Sequence, residues 1–122
     1  MEREEFSGLV KAAVKSLPRF FRRRMQNISI EVENYPGPEV LERTGLDRRS
    51  LLGLYQGVPL GKRSVWHNPT GPDRISIYQA NIEAVARTPE SIQELVRDVV
   101  MHEIGHYFGL SEEELRQAQD ED

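Results

Sequence analysis

Two of the chain's three histidines, His102 and His106, lie in the segment His-Glu-Ile-Gly-His, with Glu103 between them. Residues four positions apart on a helix share one face, so both imidazoles would point to the same side. Two imidazoles with an adjacent carboxylate are the groups that hold a zinc ion and activate a water molecule on it. The segment therefore predicts one zinc ion bound by His102 and His106. By itself it does not identify the reaction.

The helix that carries this segment is predicted to be amphipathic. At about 100° per residue, Glu103 falls near the centre of its apolar arc, His106 falls inside the arc, and His102 lies just beyond the rim. A glutamate directed into a core is costly unless it is paired or close to a cation. A core histidine pair with a salt-bridged glutamate explains each residue singly, whereas a metal site explains all three together. The arc consists of Ile92, Leu95, Val96, Val99, Val100 and Ile104.

Two imidazoles leave a zinc site incomplete, because catalytic zinc usually takes three protein ligands and a water molecule. Gly109 allows a sharp turn just past the helix, so we expect the third ligand in the segment that follows. Glu112, ten positions after His102, is the preferred candidate, and Glu113 and Glu114 compete with it. We interpret Glu114 as a group that supports the ligand. The same carboxylates also suit the first turn of a helix, where they complement the helix dipole.

The expected chemistry is hydrolysis. Bound zinc lowers the pKa of its water toward about 7 and polarises a carbonyl oxygen. Glu103 lies beside His102 and is directed to the same face, so it is the predicted general base that takes the proton of the metal-bound water. It would later deliver that proton to the leaving amine. Glu103 is therefore the single predicted catalytic residue.

Hydrophobic periodicity and turn residues predict the elements that position this site. Thr88 as N-cap and Pro89 at the first helical position open the metal-binding helix. His67 lies in a long connection, where it could approach the metal or the substrate, although we interpret it as an exposed loop residue. Helices are predicted over residues 3–17, 19–25, 89–108 and 111–119, strands over 28–33, 51–58 and 74–80, a loop with a possible helical turn at 38–43 over 34–50, and the long connection over 59–73.

Length and composition favour one soluble domain over residues 1–122. The chain has 122 residues, of which 38% are hydrophobic and 30% charged, with a net charge of −4. That charge gives no reason to expect a nucleic-acid partner. The chain has no cysteine, which excludes disulfides and thiolate zinc ligands. An acidic start without an apolar leader, and no apolar run of membrane-spanning length, predict a cytoplasmic protein without a membrane partner.

The extended motif, H-E-x-x-H-x-x-G-x-x-E, resembles that of the zincin metallopeptidases, and most closely the small bacterial zincin-like metallopeptidase family. The resemblance extends over most of residues 18–118 and is carried by Leu52 to Leu60, Pro72 to Ile75 and His102 to Leu110. It implies zinc on His102, His106 and Glu112, with Glu103 as base and a peptide or protein as substrate.

The same resemblance implies an α+β zincin-like minimal domain. Its small sheet of about three to four strands would pack on the active-site helix, together with the helices at the N-terminal end of the chain. In zincins an edge strand commonly borders the cleft and pairs with extended substrate. Residues 51–58 and 74–80 are both candidates for that strand.

Two functions remain open. Only 13 residues follow Gly109, so we expect no C-terminal subdomain like that of larger zincins. Tyrosines are available as oxyanion stabilisers, but none is assignable. The first hypothesis is a zinc-dependent peptidase, and the second is a zinc-binding module that binds partners without cleaving them. The negative charge disfavours a third, a metal-dependent hydrolase acting on RNA. The available tyrosines are Tyr55, Tyr78 and Tyr107.

Overall fold

A computed structural model describes residues 1–57 and 73–120, and it has six α-helices and three strands in those ranges. A single turn of 3₁₀ helix, Met25–Asn27, leads into the first strand. In chain order the elements are α1 (Arg3–Lys15), α2 (Arg19–Arg24), β1 (Ile28–Glu33), α3 (Pro38–Thr44), β2 (Gly53–Gln56), β3 (Asp73–Tyr78), α4 (Gln79–Val85), α5 (Pro89–Tyr107) and α6 (Glu112–Asp120).

The strands form a mixed sheet in the order β1-β3-β2, so β3 has a neighbour on both sides. β1 runs parallel to β3, and β2 runs antiparallel to it. The Tyr78 N–H donates to the Leu52 carbonyl over 3.0 Å, so these two residues form a hydrogen-bonded pair. Such pairs alternate along antiparallel strands with pairs whose polar groups point outward. The main-chain groups of Gly53 and Tyr55 therefore face away from β3.

The core lies between the sheet and the helices α1 and α5. α1 packs along α5, and α5 contacts both β2 and β3. Burial of aliphatic and aromatic side chains of this size contributes about 1.5–3 kcal/mol each, which fixes α5 against the sheet. The fully buried core side chains include Phe6, Phe21, Ile75, Ile77, Ile82, Val96, Val100 and Ile104.

Arg3 connects α1 to the C-terminal end of β1 and to the start of α4. Its guanidinium donates to the Val32 carbonyl over 2.8 Å, to Asn34 Oδ1 over 2.7 Å and to Gln79 Oε1 over 2.6 Å. The planar fork of arginine suits three acceptors held by separate segments. These bonds connect α1 with the end of β1 and the start of α4.

The predicted α+β class is confirmed, and so is the strand over residues 28–33. The helical turn expected at 38–43 is α3, and α5 ends at Tyr107, one residue before its predicted end. The third strand is shorter than predicted, because it ends at Tyr78 and the chain enters α4, which was not predicted. Buried polar side chains at Gln79 and Asn81 bond to other segments there, and strand periodicity in sequence does not register such contacts.

Several predictions fall on residues 58–72, outside the described residues. They include the last residue of the predicted strand 51–58, nearly all of the connection 59–73, and His67. In residues 1–57 and 73–120 no helix is long and apolar enough to span a membrane.

Candidate metal centre

Three side chains of the motif lie together near the C-terminal end of α5. The imidazole rings of His102 and His106 have centroids 6.5 Å apart, with an interplanar angle of 77°. Glu103 is largely covered, with 19% of its side chain exposed, whereas the His106 side chain is 67% exposed. The expectation that His106 lies inside the apolar arc is therefore wrong.

The buried face of α5 is rotated relative to the predicted arc because α6 packs against the helix. Met101, Ile104 and Gly105 are buried there. A Cβ on Gly105 would stand 2.7 Å from Leu115 Cδ1, so the absence of a side chain lets α6 approach. This packing turns His106 toward solvent and leaves Glu103 at the border between covered and open surface. Both imidazoles are consequently accessible from outside.

His102 is oriented by its own helix. Its Nδ1 lies 2.9 Å from the carbonyl oxygen of Asp98, one turn earlier. A carbonyl only accepts hydrogen bonds, so Nδ1 carries the proton in this contact and Nε2 keeps its lone pair. Metal-binding histidines are commonly held in this way, with the non-ligating nitrogen bonded to a backbone carbonyl or a carboxylate. The tautomer therefore suits His102 Nε2 as a ligand.

The Glu103 carboxylate is held from the opposite side by β2. Its Oε1 accepts a hydrogen bond from the Tyr55 main-chain N–H over 2.7 Å. Its Oε2 lies 3.9 Å from His106 Nδ1. Burial raises the pKa of Glu103 above its usual range, and the Tyr55 N–H and the two histidines partly oppose that rise. A desolvated carboxylate with a raised pKa suits a general base, because it gives and takes a proton more readily near neutral pH.

β2 contacts α5 at three successive turns of the helix, which include the motif. A Cβ on Gly53 would stand 2.6 Å from Val99 Cγ1, so glycine is required where the strand passes closest to the helix. Further along, the ring of Tyr55 stacks on Tyr107 with centroids 4.1 Å apart and an interplanar angle of 16°. The strand thus contacts α5 at residues 99, 103 and 107, which form one stripe of the helix.

A cavity of about 350 Å³ opens beside the motif, between β2 and the preceding turns of α5. Its wall is mainly apolar and also carries three polar or charged side chains. The lining consists of Leu51, Leu52, Gly53, Leu95 and Val99, together with Asp98, His102 and Glu103. Such a wall suits an apolar side chain placed next to the reacting groups.

The acidic segment after Gly109 begins α6. Gly109 adopts φ = 70°, which confirms the expected left-handed turn past the helix. Glu112 is the first residue of α6 and is exposed. The Ser111 N–H donates to Glu114 Oε1 and the Glu114 N–H donates to Ser111 Oγ, both over 3.1 Å. These bonds make Glu114 a reciprocal helix cap, and its predicted role as a group that supports the ligand stays a prediction.

Within the described ranges, no group of three or more histidine, aspartate or glutamate side chains is arranged to hold a metal ion. The structure brings His102, His106 and Glu103 together but does not bring Glu112 into a group with them. Glu112 as third ligand therefore stays a prediction. The donor set still fits zinc in part, since it offers the free Nε2 of His102, an accessible imidazole at His106 and a nearby carboxylate.

The role of Tyr55 was missed in the sequence. Its hydroxyl donates to Asp73 Oδ2 over 2.8 Å, and burial together with this bond raises its pKa. Glycines within a strand, here Gly53 and Gly57 on either side of it, are a local signal of a bulge or a close backbone approach. The structure shows such an approach at Gly53.

A helix with two accessible histidines, a covered glutamate between them and a strand along its length defines a candidate metal-dependent hydrolase site. The model of a family described as zincin-like metallopeptidase matches residues 25–121. That match spans most of the chain, so the chain belongs to the zincin-like metallopeptidase family, whose membership implies zinc binding. A comparison with curated proteins gave no match.

Proposed function

We propose that this protein is a zinc-dependent peptidase. His102 and His106 hold the ion, Glu112 is the preferred third ligand, and Glu103 is the general base. Family membership supports zinc and peptidase chemistry in general, and the arrangement on α5 supports the roles proposed for His102, His106 and Glu103.

One observation carries the proposal. Glu103 is a covered carboxylate adjacent to two imidazoles, and it accepts a hydrogen bond from the Tyr55 main-chain N–H. Zinc, when bound, polarises a carbonyl oxygen and lowers the pKa of coordinated water. Glu103 would accept a proton from the attacking water and pass it to the leaving amine. A site that only stored metal would have no use for a desolvated base in this position.

The strand β2 is the proposed docking edge for an extended peptide. β3 has neighbours on both sides, so residues 74–80 are excluded as an edge strand. Gly53 and Tyr55 direct main-chain groups away from β3, and the Tyr55 N–H is already bonded to Glu103. A substrate strand would therefore pair at Gly53, which adjoins the apolar cavity. We expect an apolar substrate side chain to enter that cavity.

The proposal is tested by measuring zinc content together with cleavage of a peptide library. We expect about one zinc per chain and cleavage that is abolished by a chelator and restored by zinc. Glu103→Gln should retain zinc and lose cleavage, because the amide cannot accept the proton. Glu42→Gln, at an exposed position of α3, is the matched control and should cleave normally. Cleavage that persists in Glu103→Gln would overturn the proposed mechanism.

A second function is favoured by the absence of a three-residue ligand group in the described part of the chain. A site with two protein ligands suits a zinc-binding module that docks a partner whose own side chain completes the coordination. The same library separates the two functions. Stoichiometric zinc without turnover of any peptide, in protein whose folding is verified by circular dichroism, would favour the module.

A further inference from the structure

Tyr55 contacts the motif helix at two positions that are one turn apart. Its main-chain N–H donates to Glu103 Oε1 over 2.7 Å. Its ring stacks on Tyr107 with 4.1 Å between centroids. Residues 103 and 107 are separated by four positions and therefore lie one above the other on α5. A single residue of β2 thus spans the part of the helix that carries His106.

The side chain of Tyr55 is itself fixed from the sheet side. Its hydroxyl donates to Asp73 Oδ2 over 2.8 Å. A Cβ on Gly57 would stand 2.5 Å from Asp73 Oδ1 and 3.0 Å from Tyr55 Cε1, so the glycine makes room for this contact. Ring stacking and a charge-assisted hydrogen bond together leave the tyrosine little rotational freedom.

These contacts decide between two roles for the tyrosine. A tyrosine that stabilised an oxyanion would need its hydroxyl proton for the substrate, but Tyr55 gives that proton to Asp73. Its main chain, in contrast, reaches the proposed base directly. The bond engages Oε1 of Glu103 and leaves Oε2, the oxygen that lies 3.9 Å from His106 Nδ1, on the side of the histidines.

We propose that Tyr55 is a positioning residue for Glu103. Stacking on Tyr107 and the bond to Asp73 hold the Tyr55 N–H where it orients the Glu103 carboxylate toward the histidines. The consequence for catalysis rests on the proposed peptidase function, whereas the positioning itself does not. A base held within hydrogen-bond reach contributes about 10²–10⁴-fold to rate, so misorientation should lower kcat rather than weaken substrate binding.

The direct test measures amide hydrogen exchange at residue 55 in zinc-free protein by NMR. We expect the amide to be protected in wild type and in Glu103→Gln, which keeps an oxygen acceptor, and to exchange faster in Glu103→Ala. Tyr55→Ala removes the stack and the hydroxyl, so it should accelerate exchange at residue 55 as Glu103→Ala does. Tyr55→Phe keeps the stack and should restore most of the protection. Exchange at residue 55 that is equally slow in wild type and Tyr55→Ala would overturn the proposal.

The kinetic test uses the zinc-loaded protein. Tyr55→Ala should lower kcat about 10- to 100-fold with KM and zinc affinity nearly unchanged, and Tyr55→Phe should recover most of kcat. Tyr35→Ala removes a tyrosine that packs under Arg48 and is the matched control, with kcat unchanged. A loss confined to KM would contradict the proposal.

The proposal stays testable if Tyr55→Ala does not fold and if the wild type has no peptidase activity. If Tyr55→Ala fails to fold, Gly57→Ala takes its place, because the added Cβ would displace Asp73 and the tyrosine ring without removing either. Unchanged exchange at residue 55 in that variant would overturn the proposal. If wild type cleaves no peptide, the peptidase function fails, and the exchange measurements alone decide whether Tyr55 positions Glu103.

Discussion

Gly105 and Leu115 are in contact, and a Cβ on residue 105 would stand 2.7 Å from Leu115 Cδ1. The glycine immediately precedes His106, and the leucine is one turn after Glu112. The contact therefore sets the position of α6 relative to α5. Because Leu115 is buried, its side chain has little room to move away.

Gly105→Ala is expected to lower the free energy of unfolding by about 1–3 kcal/mol, as is typical of overpacking in a filled core. Alanine is intrinsically the better helix former by about 1 kcal/mol. Gly8→Ala isolates that gain, because Gly8 lies in α1 with nothing within 4 Å of an added Cβ. It should stabilise the protein by about 0.5–1 kcal/mol. Urea unfolding of both variants gives the comparison, and an equal gain in both would show that α6 is not tightly packed at Gly105.

The same contact explains how far the sequence predicts α5. The helix is predicted to within one residue because its ends are coded locally, by Thr88, Pro89 and Gly109. The direction of its buried face is predicted poorly. Hydrophobic periodicity weights large apolar residues, and Gly105 contributes nothing to it, although it is the point at which another helix docks. The exposed position of His106 follows from that contact.

In the candidate site, too, the sequence predicts the groups that are placed by local spacing but not the contacts between distant segments. His102, Glu103 and His106 are found by local spacing, since helix geometry alone places them together. The bond from the Tyr55 N–H to Glu103 joins residues 48 positions apart and uses a main-chain group, so no side-chain pattern encodes it. The helix α4 is missed for a related reason. Its buried polar residues form hydrogen bonds with segments that are distant in the sequence, and local patterns do not register such bonds.

Asn81 provides a test of one such long-range hydrogen-bond contact, between α4 and the loop before β2. Its side-chain amide donates to the Leu51 carbonyl over 2.7 Å and to the Arg48 carbonyl over 2.8 Å, which fastens the loop that leads into β2. Asn81→Asp replaces both donated protons with a carboxylate in a buried place. We expect the free energy of unfolding to fall by about 2–4 kcal/mol, because the two carbonyls lose their hydrogen-bond donor and the new carboxylate is buried beside them without a partner.

Asn27→Asp is the matched control for that substitution, since Asn27 is exposed. It should change stability by no more than about 0.5 kcal/mol. Urea denaturation at neutral pH measures both variants. A similar small effect in both would mean that the amide of Asn81 does not hold the loop.

Glu103 should make stability depend on pH in the zinc-free protein. Burial raises the pKa of Glu103 in the folded state above the ordinary value of 4.5, which applies when the chain is unfolded. Below pH 4.5 the carboxyl is protonated in both states and costs nothing. As the pH rises toward the folded-state pKa, the unfolded chain releases the proton first, so the folded state loses relative stability. Glu103→Gln stays neutral and keeps an acceptor for the Tyr55 N–H.

Glu103→Gln is therefore expected to be more stable than wild type at pH 7–8, with the difference shrinking as the pH falls to about 4. Unfolding by urea in the presence of a chelator, across this pH range, measures the difference. Glu113→Gln removes an exposed carboxylate of α6 and should show no comparable trend. A Glu103→Gln variant that is less stable than wild type at neutral pH would indicate that the buried charge is paired.

The third metal ligand is decided by comparing the three acidic residues of α6. His106→Ala should lose zinc, which establishes the sensitivity of a competition assay with a coloured chelator. If Glu112 is a ligand, Glu112→Gln should weaken zinc binding about 100-fold or more, beyond the 10- to 100-fold typical of supporting residues. Glu113→Gln should leave the affinity unchanged. Glu114→Gln keeps an oxygen acceptor for the Ser111 N–H, so it should change the free energy of unfolding by no more than about 0.5 kcal/mol and should not lose zinc. An affinity that is equal in all three variants and wild type would remove α6 from the coordination sphere and strengthen the case for a site completed by a partner.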